Sequence, residues 1–420
     1  MQRRDLLKAA ALGSALWFPV GRHAMAMARP SARAAQPRLV VILLRGAMDG
    51  LSVVAPYADP DYARARPNLA MAKPGSADGL LDLDGRFGLH PALAPLMPLW
   101  QKGQLGFVQA SGSRDPTRSH FDAQDYMETA TPGRKNTQDG WLNRLMQAWP
   151  ASPGMAPSAS RAVSVGAVLP RICQGRYNIA NLPSVAAVAQ PGVLDKPRVA
   201  NAFEKLYAGD DAMGRAFREA RQAREEVRAS MADHENDPDM ADVDRGAPLP
   251  NGLPDDAARL SQVMRNDPRV QMAFLALGGW DTHSAQGTVK GRLAQRLDPL
   301  GRGLAELAQG LGPVWQDTVV MVMSEFGRTV RQNGTGGTDH GHGNVMMLAG
   351  GRVQGGKVHG EWPGLESRAL HDGRDLAITT DFRDVIATVM AGHLRLPDSA
   401  MASVLPGYAG PTRKLELFRA

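Results

Sequence analysis

Five short strings in this 420-residue chain hold the side chains best suited to acid–base or metal chemistry. Asp49 closes Leu44-Arg45-Gly46-Ala47-Met48-Asp49-Gly50, and Ser119 and His120 lie in Arg118-Ser119-His120-Phe121-Asp122. Asp281 and His283 belong to Gly279-Trp280-Asp281-Thr282-His283, and Glu325 and Arg328 to Ser324-Glu325-Phe326-Gly327-Arg328-Thr329. His340 and His342 end the series in Gly337-Thr338-Asp339-His340-Gly341-His342-Gly343. Oxygen and nitrogen donors without sulfur suit zinc, manganese, magnesium or calcium, as one ion or two. Asp281-x-His283 sets two ligands close together, and the glycines around His340 and His342 let backbone approach a metal or an anion. Each residue alone has a plainer reading. Asp49-Gly50 can be a turn, Ser119 a helix cap, Glu325 with Arg328 an ion pair, and any one histidine a hydrogen-bonded surface group. The grouping, not any member, points to a site.

The elements that must position these residues follow from the hydrophobic pattern. Leu39 to Leu44, Leu105 to Ala110, Val270 to Leu277 and Thr318 to Met323 are apolar runs of strand length, each followed by one of the chemical strings. Ala162 to Val168 and Val345 to Leu348 read as further strands. Helices are expected over His90 to Trp100, from an N-cap at Ser119, over Val289 to Gly310, and from Thr380-Asp381 through Ala391. Strands alternating with helices give an α/β fold with a mostly parallel central sheet and helices on both faces. In such a sheet ligands bind at the carboxyl ends of the strands, where these residues should converge. Residues 198–256 read as a helical insertion (198–232) followed by a polar, Asp- and Pro-rich connector (234–256).

Residues 1–35 have another purpose. Arg3-Arg4-Asp5-Leu6-Leu7-Lys8, an apolar run from Ala9 to Val20 and small residues beyond it resemble a twin-arginine export signal. That implies passage through the twin-arginine translocase, already folded, and a periplasmic or otherwise exported mature domain over 36–420. Arg3, Arg4, Lys8, Arg22, Arg29 and Arg33 against Asp5 place most of the formal charge of +6 in this leader. The sequence pI of about 9.6 therefore does not indicate a nucleic-acid partner, and basic residues are not interleaved with aromatics. No apolar stretch has the roughly 20 residues of a permanent membrane span. The single cysteine, Cys173, excludes an internal disulfide and reads as a small buried hydrophobe.

Phosphate-binding G-x-x-x-x-G-K-[ST] and G-x-G-x-x-G motifs and the G-x-S-x-G nucleophile elbow are missing. The five strings instead resemble the exported bacterial family called domain of unknown function 1501, itself similar to the alkaline phosphatase and sulfatase superfamily. That resemblance spans nearly the whole mature chain and implies an alkaline-phosphatase-like fold. It implies Asp49 as a first-strand metal carboxylate, Ser119 as a nucleophile at a helix N-terminus, and Asp281, His283 and His340 or His342 as ligands of a metal. The superfamily's Asp-His-Gly is Glu325-Phe326-Gly327 here, so one imidazole is missing, with His120 left to substitute. The function so implied is metal-assisted hydrolysis of a phosphate or sulfate ester, an anionic substrate held by Arg328 or Arg45. One metal, at Asp49 and Glu325, would activate Ser119, and a second, at Asp281, His283 and His342, would polarise the ester. The alternatives are an exported binding or assembly protein keeping the fold without turnover, and a modifier of surface carbohydrate or polymer.

Overall fold

The computed structural model describes residues 36–150, 161–184, 197–209, 214, 242–411 and 414–419. The export leader and most of the helical insertion lie outside the described residues, which retain from the insertion a helix at Pro197–Leu206. The nine strands described in the main sheet are β1 (Arg38–Leu44), β2 (Leu105–Gly112), β3 (Ala162–Val165), β4 (Ala180–Leu182), β5 (Met272–Leu277), β6 (Thr318–Ser324), β7 (Asn344–Gly350), β8 (Lys357–His359) and β9 (Thr380–Asp381). Their spatial order is β8-β2-β7-β6-β1-β5-β3-β4, with β9 also paired to β2.

The sheet is mostly parallel, as expected, with one strand reversed. β1 is parallel to β5 and β6, β3 to β4 and β5, and β2 to β8 and β9. β7 runs antiparallel to both β2 and β6, so the sheet is mixed. No helix lies between β6 and β7, and the chain turns back to pair beside the strand it left. The reversal carries the amino end of β7, and the loop before it, to the side where β1, β5 and β6 end.

β1 shows how the residues make a doubly covered sheet. Val40, Ile42 and Leu44 face one core, while Leu39, Val41 and Leu43 face the other. Such a strand is apolar without alternation, because alternate side chains enter different cores. The helices that cover the sheet and open the site include α1 (His120–Thr129), α2 (Trp141–Ala148), α3 (Leu253–Asn266), α4 (Arg292–Leu311) and α5 (Phe382–Gly392). α3 and α4 cover one face through Leu260, Met264, Leu297, Leu300 and Leu304; α2 and α5 cover the other through Trp141, Leu145, Phe382 and Ile386. Each such side chain contributes about 1.5–3 kcal/mol by burial.

α3 begins inside the expected connector. Pro254, Asp255 and Asp256 occupy its first turn, where proline lacks only an N–H that would be unsatisfied and acids face the positive end of the dipole. α5 starts as expected, with the Asp381 side chain accepting from the Arg383 N–H. Cys173 is fully buried, and burial pushes its thiol up. The architecture, a mixed sheet flanked by helices, agrees with the alkaline-phosphatase-like α/β fold that the resemblance implied. Among the described residues no helix is long and apolar enough to cross a membrane.

Candidate metal centre

The loops at the carboxyl ends of β1, β5 and β6 are held close to one another. Gly46, just past β1, has φ +111°, and a Cβ there would lie 2.7 Å from the Asp281 nitrogen. Only glycine lets the loop after β1 pass so close to the loop after β5. The Gly46 N–H donates to Glu325 Oε1 at 2.8 Å, joining the loop after β6 to the other two. At the far end of β2 the chain turns into α1, with Ser119 at the N-cap position, exposed and making no side-chain capping bond.

Three imidazoles meet where these loops converge. His120 Nε2 lies 2.9 Å from His340 Nε2, which lies 2.9 Å from His283 Nε2. Asp281 completes the group, with Oδ1 at 3.2 Å from His283 Nε2 and 3.5 Å from His340 Nε2, and Oδ2 at 3.5 Å from His120 Nε2. His120, Asp281 and His340 form a group that can hold a single divalent ion.

The partners of the opposite ring nitrogens identify what faces inward. His340 Nδ1 lies 2.9 Å from the Arg118 carbonyl, which can only accept, so Nδ1 carries the proton. His120 Nδ1 bonds the Glu325 carboxylate at 2.8 Å, and His283 Nδ1 the Asp339 carboxylate at 3.2 Å. In the neutral rings each Nε2 then presents a lone pair, and lone pairs 2.9 Å apart repel. A positive charge must lie among them, as a proton or a metal ion. Carboxylate or carbonyl partners on the outer nitrogens are the usual support of metal-bound histidines. Within the group of His120, Asp281 and His340 the separations of 2.9–3.5 Å bracket the roughly 3.3 Å edge of a tetrahedron with metal–nitrogen bonds of about 2.0–2.1 Å, and His283 stands outside that group, against His340. The donor set therefore fits an ion such as zinc.

The electrostatics agree. Burial alone would depress the His120 imidazole, but hydrogen bonds and charge from Asp281 and Glu325 outweigh it and raise it to about 9. Glu325 is wholly buried, which would raise its carboxyl, yet His120 and the backbone donors bring it down to about 2. Asp281 is likewise held low against its burial, by His120, His340 and Arg328. The site attracts a cation before one arrives.

Several expected residues lie elsewhere. Asp49 is fully buried and bidentate to Arg66, at 2.6 and 2.9 Å, with Ser52 and Gln286 each donating to Oδ2 at 2.7 Å. A guanidinium thus stands where a second metal was expected. Glu325 faces His120, Gly46 and Gln124, supporting a ligand instead of binding beside Asp49. His342, two residues from His340, stacks on His371 with ring centroids 4.2 Å apart, and burial, then His371, push it down to about 4. Arg45 pairs with Gln124 at 2.6 Å and Glu128 at 2.8 Å. Arg328 is at the site: Nη2 donates to Asp281 Oδ1 at 2.6 Å, while its buried Nε and Nη1 have no partner in the protein. Phe326, where the superfamily has an imidazole, packs on the His120 ring at 4.9 Å.

Sequence reasoning missed Arg66 and Gln286, and overlooked Asp339 and the Arg118 carbonyl as supports of the imidazoles. Asp339 and Arg118 sat inside strings already noticed. Arg66 and Gln286 carry no motif, and nothing in their neighbours marks them as buried.

Among solved structures, the lipoteichoic acid synthase LtaP from Listeria monocytogenes is 11% identical, with 89% of this chain and 76% of that chain covered at TM-score 0.37. A 2-O GAG sulfatase is 10% identical, with 89% and 73% covered at TM-score 0.39. A protein of the alkaline phosphatase superfamily from Vibrio parahaemolyticus is 11% identical, with 77% and 62% covered at TM-score 0.36. These are distant similarities in structure, and likeness at this level says nothing of chemistry. No curated protein matches the sequence. The family that describes this chain is "Protein of unknown function (DUF1501)", matched over residues 36–405, and the chain belongs to it.

Proposed function

We propose that this protein is an exported, metal-dependent hydrolase of phosphate or sulfate esters, with one divalent ion bound by Nε2 of His120 and His340 and by Asp281, and with His283, beside His340, drawn in as a fourth donor. The observation that carries the reading is the convergence of three imidazole lone pairs on one carboxylate, each ring turned by a partner on its outer nitrogen. When bound, the ion supplies a Lewis acid that draws charge from an ester oxygen. Ser119 is the proposed nucleophile. It lies between Arg118, whose carbonyl holds His340, and His120 itself, at the N-terminus of α1 where the dipole favours an anion. Its oxygen would bond to phosphorus or sulfur as the ester bond to the leaving alcohol breaks. The serine proton goes to solvent and the departing oxygen takes one from water. A water molecule then cleaves the covalent ester, releasing the anion and restoring the hydroxyl. Arg328, whose Nε and Nη1 are unmatched in the protein, is the proposed holder of a non-bridging oxygen.

One observation favours the second reading, a binding or assembly protein with a structural metal. With His283 joining His120, Asp281 and His340, four protein donors would fill a tetrahedral ion, whereas catalytic sites usually keep a position open. Elemental analysis of the purified protein, followed by assay on phosphate mono- and diesters and sulfate esters, separates the two. The hydrolase reading expects metal and turnover, with Ser119→Ala lowering turnover by at least 100-fold. Full activity in Ser119→Ala removes the nucleophile assignment, and bound metal without turnover across the panel supports the binding reading. Export rests on the leader alone: a reporter fused behind residues 1–35 should reach the periplasm, and should not once Arg3 and Arg4 are both replaced by Lys.

A further inference from the structure

Behind the imidazoles lies a layer of buried polar groups with a definite wiring. Gln286, with no exposed surface, accepts at Oε1 from the Thr282 hydroxyl and the Thr338 hydroxyl, both at 2.9 Å. Thr282 stands between Asp281 and His283, and Thr338 two residues before His340. One amide oxygen therefore ties together the two loops that carry three of the four proposed donors. The amide nitrogen donates to Asp49 Oδ2 at 2.7 Å, and a carboxylate can only accept, so the orientation of the amide is forced. Asp49 is in turn gripped by Arg66, which also donates to the carbonyls of Thr329, at 2.8 Å, and Val330, at 2.9 Å, in the segment after Arg328. Every link in this chain is buried, where a hydrogen bond is strong and a missing partner is costly. The ligand-bearing loops themselves are more open, with the His283 side chain 43% exposed and that of His340 26%. Their spacing is held from below.

We propose that Gln286 is a positioning residue for the metal centre: anchored by the Asp49–Arg66 pair, it sets the separation of the 281–283 and 338–340 loops and so the affinity of the site. This rests on the metal reading above. The test is zinc binding by the full chain, stripped of metal and titrated against a competing chelator well below its melting temperature, with the melting of the metal-free protein followed in parallel. The unaltered chain should bind one equivalent. Gln286→Leu should bind the same single equivalent 10- to 100-fold more weakly, the range known for lost outer partners of metal ligands. Thr338→Val keeps the branched shape, removes one of the two ties, and should show a smaller loss. It decides the question if Gln286→Leu does not fold. Unchanged zinc affinity in folded Gln286→Leu, or in Thr338→Val where only that variant folds, overturns the positioning role while leaving the metal site standing. An unaltered chain that takes up no zinc overturns both.

Discussion

Asp49 is a carboxylate at the end of the first strand whose charge is satisfied inside the protein. With both oxygens on Arg66 and neither side chain exposed, the pair carries a large desolvation cost that its geometry offsets. Replacing one partner leaves the other charged and alone. Arg66→Met should destabilise the protein by about 3–5 kcal/mol, and adding Asp49→Asn should recover much of that loss. Chemical denaturation of the single and double variants measures both. Burial leads at His393, whose Nε2 donates to the Arg38 carbonyl at 2.9 Å; burial, helped by the charges of Arg352 and Arg395, brings its imidazole down to about 4. The unfolded chain takes up that proton near pH 6.5, so the stabilisation is complete above that pH and is lost as pH falls towards 4. His393→Gln should therefore show a shallower loss of stability than the unaltered chain between pH 6.5 and 4, the difference approaching about 3 kcal/mol. Parallel slopes in the two proteins would remove this role.

Loops hold three of the proposed donors, with His120 opening α1, and glycine sets how closely those loops pack. Gly46→Ala would put a methyl group against the Asp281 backbone at a positive φ, which costs of order 1–3 kcal/mol. It should also weaken zinc binding, since Asp281 must move. A titration showing unaltered affinity would mean that the two loops are not coupled. The strands before these loops were legible because six or more apolar residues in a row have few other uses in a sheet covered on both sides. β7 was legible as a strand but not in direction, because direction depends on what connects β6 to β7 in space. The site divides the same way. Asp281 and His283 stood out by spacing, while the choice between His340 and His342 turned on which ring each faces, a matter of loop path. Gln286 was invisible because a neutral amide gains its role only from the groups around it, Thr282, Thr338, Asp49 and Ser52. The expected connector was misjudged at Pro254-Asp255-Asp256, residues equally at home in a loop and in the first turn of a helix.

On the scale of the whole molecule, the proposed donors come from distant parts of the chain: His120 and His340 are 220 positions apart. A metal that binds only the assembled site stabilises the folded state by mass action, about 2.7 kcal/mol at a free concentration 100 times the dissociation constant. Zinc should therefore raise the melting temperature in a concentration-dependent way, and a chelator should return it to the metal-free value. A melting curve indifferent to both would count against the centre. The order of events in folding is constrained as well. Only Asp281 and His283 are neighbours in the unfolded chain, so an ion meeting that chain finds two donors at most. The remaining imidazoles arrive once β2, β5, β6 and β7 have paired and the reversed strand has brought its loop round. Closing contacts over such sequence distances is slow. An ion bound at this centre would thus be a late arrival that seals a finished sheet, not a nucleus on which the sheet is built.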